Sequence, residues 1–196
     1  MNRGNLFIVT GPSGAGKGTV LGKLLPAMSD LHYSISATTR APRPGEIDCV
    51  NYYFINKTQF LKMAEQDKFL EYAEYVGNYY GTPSGPVDEM LEKGIDVILE
   101  IEVQGALIVK NKRPEAKLVF IIPPSFSDLE CRLRTRGSEQ EDVIMQRLEK
   151  ARSEYKMAEK YDYIVVNDEP DRAVDQLRCI IMASRCTVER RKYLLR

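Results

Sequence analysis

The stretch Gly-Pro-Ser-Gly-Ala-Gly-Lys-Gly-Thr at 11–19 follows directly on the apolar run Leu-Phe-Ile-Val at 6–9. Its glycines allow positive φ and close backbone approach to a ligand. Successive amides from about Gly14 to Thr19 can converge on an anion at a helix N-terminus. The G-x-x-x-x-G-K spacing between a strand and a helix therefore predicts a phosphate cradle made by Gly11, Pro12, Ser13, Gly14, Ala15, Gly16, Lys17, Gly18 and Thr19. Lys17 would bridge the β- and γ-phosphates of a nucleoside triphosphate such as ATP. In the usual motif a Ser or Thr after the lysine touches Mg²⁺. Here that slot holds Gly18, and the hydroxyl arrives at Thr19. Because Mg²⁺ retains several waters readily, a carboxylate elsewhere can hold it through water. Glu100, late in the run Asp-Val-Ile-Leu-Glu-Ile-Glu at 96–102, is the candidate.

A second group of residues suits a phosphorylated acceptor. Arg40 and Arg43 share a proline-stiffened loop and can grip a phosphate bidentately. Tyr52, Tyr79 and Tyr80 are phenolic donors in short strands, where tyrosines also serve in packing. Glu71 and Glu102 are acids within strand-like apolar runs. A carboxylate accepts only, so it matches the N1–H and N2–H₂ donors of guanine. Adenine lacks that donor pair and would leave the acid unpaired.

These residues need elements to hold them. Continuous β-rich runs at 5–10, 31–36, 96–102, 117–122 and 163–166 read as strands buried on both faces. Helical patterns follow the phosphate loop and occupy 103–112, 128–136, 141–160 and 171–195. The alternation predicts an α/β fold, an open parallel sheet flanked by helices. From 37 to 82 the pattern breaks into short strands, Gly and Pro punctuation, crowded tyrosines and one helix at 57–66. The expected organisation is one domain over 1–196, with a core of about 1–36, 83–123 and 147–196. A small mixed α+β insertion would cover about 37–82, and an arginine-rich lid about 124–146.

The segments Ser-Ile-Ser-Ala-Thr-Thr-Arg-Ala-Pro-Arg-Pro-Gly-Glu, Phe-Leu-Glu-Tyr-Ala-Glu-Tyr-Val-Gly-Asn-Tyr-Tyr-Gly, Leu-Glu-Ile-Glu-Val-Gln-Gly, Arg-Leu-Arg-Thr-Arg-Gly and Ile-Val-Val-Asn-Asp stand in the order and spacing of guanylate kinases. The resemblance runs from Leu6 to about Ser184 and includes the Gly-Lys-Gly-Thr form shared with other nucleoside monophosphate kinases. It implies a P-loop kinase fold and the reaction ATP + GMP ⇌ ADP + GDP with Mg²⁺. It also implies that Ser36, Glu71, Thr82 and Glu102 bind guanine, and that Arg40, Arg43, Tyr52 and Tyr80 hold the GMP phosphate. Arg132, Arg136 and Arg147 match lid arginines that close over the transferring group, joining Lys17 and Arg40 in catalysis. Asn167 matches a position near the adenine of ATP. The family often carries Asp where this chain has Glu100 and Glu102, Ser where it has Thr82, and Gly where it has Cys49. Arg134, two residues from both Arg132 and Arg136, should point elsewhere on a helix.

Composition narrows the field further. In 196 residues the formal net charge is zero, so no global field favours nucleic acid or an anionic membrane. The apolar N-terminal run is too short for a signal or a membrane span, which leaves the cytoplasm as the expected location. Cys49, Cys131, Cys179 and Cys186 stand singly, without the spacing of a zinc site. His32 is the only histidine, and no nucleophile–base pair is evident. Two other readings compete: a kinase for AMP or another monophosphate, and a phosphopeptide-binding module of the scaffold-protein type. Acids at both base-reading positions oppose the first, and the intact Lys17 and glycines oppose the second. Monomer and homo-oligomer both stay open at this level.

Overall fold

The computed structural model describes residues 3–135 and 140–195. Its main sheet is built from β1 (Leu6–Thr10), β2 (Leu31–Tyr33), β7 (Asp96–Glu100), β8 (Lys117–Ile122) and β9 (Tyr163–Val166). The strand order is β2-β7-β1-β8-β9, with every pairing parallel. Side chains alternate across β1, as the two-residue strand period requires. Phe7 and Val9 join Ile98, Val119, Ile121 and Val165 under α1 (Lys17–Ala27) and α7 (Pro170–Arg185), through Val20, Leu24, Leu177 and Ile181. Leu6 and Ile8 face the other way, with Val97, Leu99 and Leu118, under α3 (Ser84–Glu92) and α4 (Val103–Lys112). Both faces of the inner strands β1, β7 and β8 are covered, which explains why they read as unbroken apolar runs, whereas the outer strands β2 and β9 are only partly buried.

A second sheet is made by β3 (Ala37–Thr38), β4 (Tyr53–Phe54), β5 (Phe69–Tyr75) and β6 (Asn78–Pro83), in the order β4-β3-β6-β5. The β5–β6 hairpin and the β3–β6 pair are antiparallel, and β3–β4 is parallel. Under it α2 (Lys57–Glu65), closed at its start by an Asn56/Gln59 capping box, buries Phe60 against Phe69 with ring centroids 4.4 Å apart. Two further helices, α5 (Phe126–Thr135) and α6 (Glu141–Tyr155), pack on each other through Leu129, Leu133, Ile144, Leu148 and Ala151. After α7 come α8 (Val188–Arg191) and a short 3-10 turn.

Four expectations need correction. The run at 31–36 is a strand only to Tyr33, because β2 is an edge pairing with β7 alone and the chain then leaves for the second sheet. The run at 96–102 ends as a strand at Glu100, and Glu102 is the N-cap of α4. The helix at 141–160 stops at Tyr155, before a separate 3-10 turn at Ala158–Lys160. The C-terminal pattern divides after Arg185, and Cys186 and Thr187 separate α7 from α8.

Candidate active site

The phosphate loop joins the C-terminal end of β1 to α1. Gly16, the N-cap of α1, lies in the left-handed region at φ 87° and ψ 22°, and no side chain caps the helix. The first-turn amides are therefore available to an anion. Gly16 has a second justification, since a Cβ there would lie 2.3 Å from Nδ2 of Asn167. Asn167, just beyond β9 and 4% exposed, donates that amide to the Ala15 carbonyl at 2.7 Å. Its own backbone carbonyl accepts from Nη2 of Arg132 at 2.8 Å. One buried asparagine thus ties an α5 arginine to the loop. A pocket of about 410 Å³ opens here between Gly14, Gly16, Thr19, Arg132, Asn167 and Pro170.

On the other side of the loop a second cleft, also about 410 Å³, gathers Lys17, Tyr33, Tyr52, Glu100, Glu102 and Arg147. Lys17 donates to the carbonyls of Gly11 at 2.6 Å and Pro12 at 3.2 Å. Burial pulls its ammonium below the usual lysine range, with Glu100, Glu154 and Glu102 opposing that shift. Arg147 on α6 donates to Oγ of Ser13 at 3.3 Å. Glu100 pairs with Val9 in the sheet register, close to the edge from which the phosphate loop springs. The Tyr33 hydroxyl lies 3.4 Å from Oε2 of Glu100, and burial together with that carboxylate pushes the phenol well above its ordinary range. Among the described residues no three His, Cys, Asp or Glu side chains converge as a metal cage. The Glu100 carboxylate in a roomy cleft suits Mg²⁺, which is commonly held by one or two acids, substrate phosphates and water.

The residues expected to hold the acceptor sit around the second sheet. Arg40 donates to Oε1 of Glu46 at 2.9 Å and to the Ala41 carbonyl at 2.6 Å, while the Arg43 amide donates to Oε2 of Glu46 at 2.7 Å. The Arg40 guanidinium is 5.6 Å from the Tyr52 ring centroid, and Tyr52 meets Tyr80 edge-on at 6.3 Å. Arg40, Tyr52 and Tyr80 therefore form one cluster, whereas Arg43 is exposed in the loop. Hydrogen bonding to Arg40 holds the Glu46 carboxyl below its usual range. Cys49 adopts a left-handed φ of 62°, a conformation that favours glycine.

Glu71 on β5 accepts from the hydroxyl of Thr82 on β6 at 2.7 Å, and Thr82 is buried. Burial raises the Glu71 carboxyl above its usual range, and the Thr82 hydrogen bonds oppose that rise. Glu102 is exposed and accepts from Nζ of Lys150 at 2.9 Å. Ser36 lies just before β3, with its carbonyl accepting from the Tyr53 amide at 2.9 Å. Tyr79 serves in packing: its ring lies 5.4 Å from that of Phe60 in the small core under the second sheet. Arg134 pairs with Glu130 at 2.9 Å and with Glu141, away from the cleft, as its helical offset predicts. Arg136 lies outside the described residues.

Sequence reasoning passes over Lys150 and Glu154, which line the same cleft. Burial raises the Glu154 carboxyl, with Lys150 and Lys17 opposing. A signal exists: residues 147, 150 and 154 recur at helical spacing on one face of α6. In a segment so rich in charge, that face reads like a solvated one.

Residues 3–184 match the family model for guanylate kinase. A guanylate kinase of Desulfitobacterium hafniense is 50% identical over 193 residues, covering 98% of this chain and 96% of its own. One from Halalkalibacterium halodurans is 50% identical over 188 residues, covering 96% and 92%. The crystal structure of guanylate kinase from Anaplasma phagocytophilum superposes with a TM-score of 0.77 at 30% identity, covering 97% of this chain and 90% of that one. The folded arrangement and the sequence agree, and this chain belongs to the guanylate kinase family.

Proposed function

We propose that this protein transfers the γ-phosphoryl group of ATP to GMP, yielding ADP and GDP. The observation that carries this reading is one cleft in which Lys17, Tyr52, Glu100, Glu102 and Arg147 meet. These residues come from the phosphate loop, the approach to β4, the C-terminal end of β7, the start of α4 and α6.

An oxygen of the GMP phosphate bonds to the γ-phosphorus while the bond to the β–γ bridging oxygen breaks, and that electron pair leaves with ADP. The attacking oxygen is already anionic near neutral pH, so no histidine or other base is needed. The obstacles are repulsion between two polyanions and their alignment. Lys17 answers the first at the loop, where arriving phosphate oxygens replace the carbonyls of Gly11 and Pro12 as its acceptors. Arg40, with Arg43, Tyr52 and Tyr80, holds the acceptor phosphate, and Arg40 exchanges Glu46 for it. Arg132 and Arg147, with Arg136, close over the transferring group. Glu100 would hold Mg²⁺ through water, and the ion when bound would supply charge neutralisation for the donor phosphates.

Guanine is read by Glu71, Thr82, Glu102 and Ser36, with Glu102 giving up Lys150 as it engages. Asn167 stands on the adenine side of the loop. In this reading residues 37–82 form the GMP-binding lobe and 124–146 the lid, and closure excludes water. The protein is expected to act in the cytoplasm, without nucleic acid or membrane; among the described residues no helix is long and apolar enough to cross one.

A coupled assay with ATP and Mg²⁺ tests the reading. ADP release that depends on GMP is the expected result. ATP binding without GMP-dependent ADP release would support a binding module instead.

A further inference from the structure

We infer that Gly105 is a specificity-determining residue: its missing side chain is the space in which the Glu71 carboxylate is set to read the 2-amino group of a purine monophosphate. The inference rests on the reading of Glu71 as the guanine acceptor. Gly105 is buried and is the third residue of α4. Glycine within a helix costs about 0.5–1 kcal/mol relative to alanine, so this position works against the helix that contains it. Its backbone does not require glycine, since it is not among the residues at positive φ. The remaining reason is space.

A Cβ built on Gly105 would lie 2.7 Å from Oε2, 3.1 Å from Cδ and 3.3 Å from Cγ of Glu71. All three of its nearest neighbours belong to that one side chain. Gly18, Gly22 and Gly85 are different, for a Cβ on any of them meets nothing within 4 Å. The Glu71 carboxylate is thus held at Oε1 by the Thr82 hydroxyl and backed at Oε2 by the bare backbone of α4. Two fixed sides define its plane, which a carboxylate needs if it is to accept N1–H and N2–H₂ together. A methyl group at 105 would meet the far end of a side chain, which can turn about its own torsions, and not backbone. The fold would therefore persist while Oε2 retreated from its place.

The test compares Gly105→Ala with Glu71→Gln, Glu71→Asp and the double variant Gly105→Ala/Glu71→Asp. Steady-state kinetics use GMP and inosine monophosphate, which lacks the 2-amino group, and melting is followed in parallel. For Gly105→Ala the KM for GMP should rise about 10-fold and the GMP-over-inosine preference should fall by a similar factor. Its kcat and its KM for ATP should stay within about 3-fold, with a melting temperature no lower than the parent's. Glu71→Asp should cost less in the Gly105→Ala background than in the parent, because the shorter acid clears the added methyl. An unchanged base preference in Gly105→Ala, strictly additive losses in the double variant, or a lowered melting temperature with equal losses for ATP and GMP would each overturn the role of Gly105. If Glu71→Gln itself leaves the base preference unchanged, the reading of Glu71 falls first and takes this inference with it. If Glu71→Gln alters the preference and Gly105→Ala does not, only the role of Gly105 is lost.

Discussion

Asn167 donates its side-chain amide to the Ala15 carbonyl at 2.7 Å, so the residue after the last strand of the sheet braces the phosphate loop. Asn167→Ala removes this buried donor and leaves the Ala15 oxygen unsatisfied, at a cost of about 1–3 kcal/mol. Because the brace acts on the loop, the KM for ATP should rise more than that for GMP. Thermal denaturation and steady-state kinetics check both expectations. An unchanged melting temperature, or equal effects on the two substrates, would contradict the bracing role.

Lys17 answers to a different constraint, being half-buried with its ammonium turned onto the loop carbonyls of Gly11 and Pro12. Lys17→Met should lower kcat by at least about 100-fold, the scale of losing one electrostatic donor to the transition state. GMP should still bind, measurable by calorimetry. Near-normal turnover would remove the role assigned to Lys17.

Glu71 makes the pH dependence of GMP use predictable. Its carboxyl lies above the usual range because burial penalises the charged form. Between the unfolded and folded pKa the native state holds the extra proton, so this group's contribution to stability is present at acid pH and is lost as pH rises through that window. As the proposed guanine acceptor Glu71 must be ionised, since a protonated acid would set a donor against donors. The KM for GMP should therefore rise as pH falls through the acid range, with proton release on binding. The GMP phosphate titrates near pH ~6 as well, so the informative quantity is the difference between the parent protein and Glu71→Gln. Indistinguishable pH profiles for the two proteins would contradict the assignment.

Asp96 offers a contrast at the opposite end of β7. It is 3% exposed, accepts from the Asn5 backbone amide at 2.6 Å and from Nε of Arg185 at 2.6 Å, and so fastens α7 beneath the sheet. Asp96→Ala should destabilise the fold by about 3 kcal/mol, the low end for breaking a buried pair because Arg185 keeps some solvent. Chemical denaturation measures that loss. At temperatures where the variant stays folded, the KM values for ATP and GMP should be nearly those of the parent. A selective rise in one KM would show that Asp96 communicates with the cleft.

Much of this architecture is legible in the residues. Strands β1 and β8 announce themselves because burial on both faces demands unbroken apolar runs, and the phosphate loop is local in sequence. Helix α3 escapes a sequence reading because Gly85 and Pro86 fall in its first turn and resemble a loop, although proline is tolerated where an amide has no helical partner. Glu102 looks like a strand acid because its apolar neighbours continue past Glu100, and only the start of α4 shows it to be a cap. The cleft's wider charge network is less accessible. Lys150 with Glu102, Arg40 with Glu46, and Glu71 against Gly105 are contacts between residues 6 to 48 positions apart, visible only once the second sheet and α6 face the loop.

In the proposed reading the acceptor is GMP, its base read by Glu71 beside Thr82 and by Glu102 in the cleft of Lys17. The most direct measurement is a coupled assay of ADP release with ATP, Mg²⁺ and each of GMP, AMP, CMP and UMP. GMP should exceed each of the others in kcat/KM by at least about 100-fold, the scale on which unpaired buried polar groups discriminate. AMP turned over as well as GMP, or better, would contradict it.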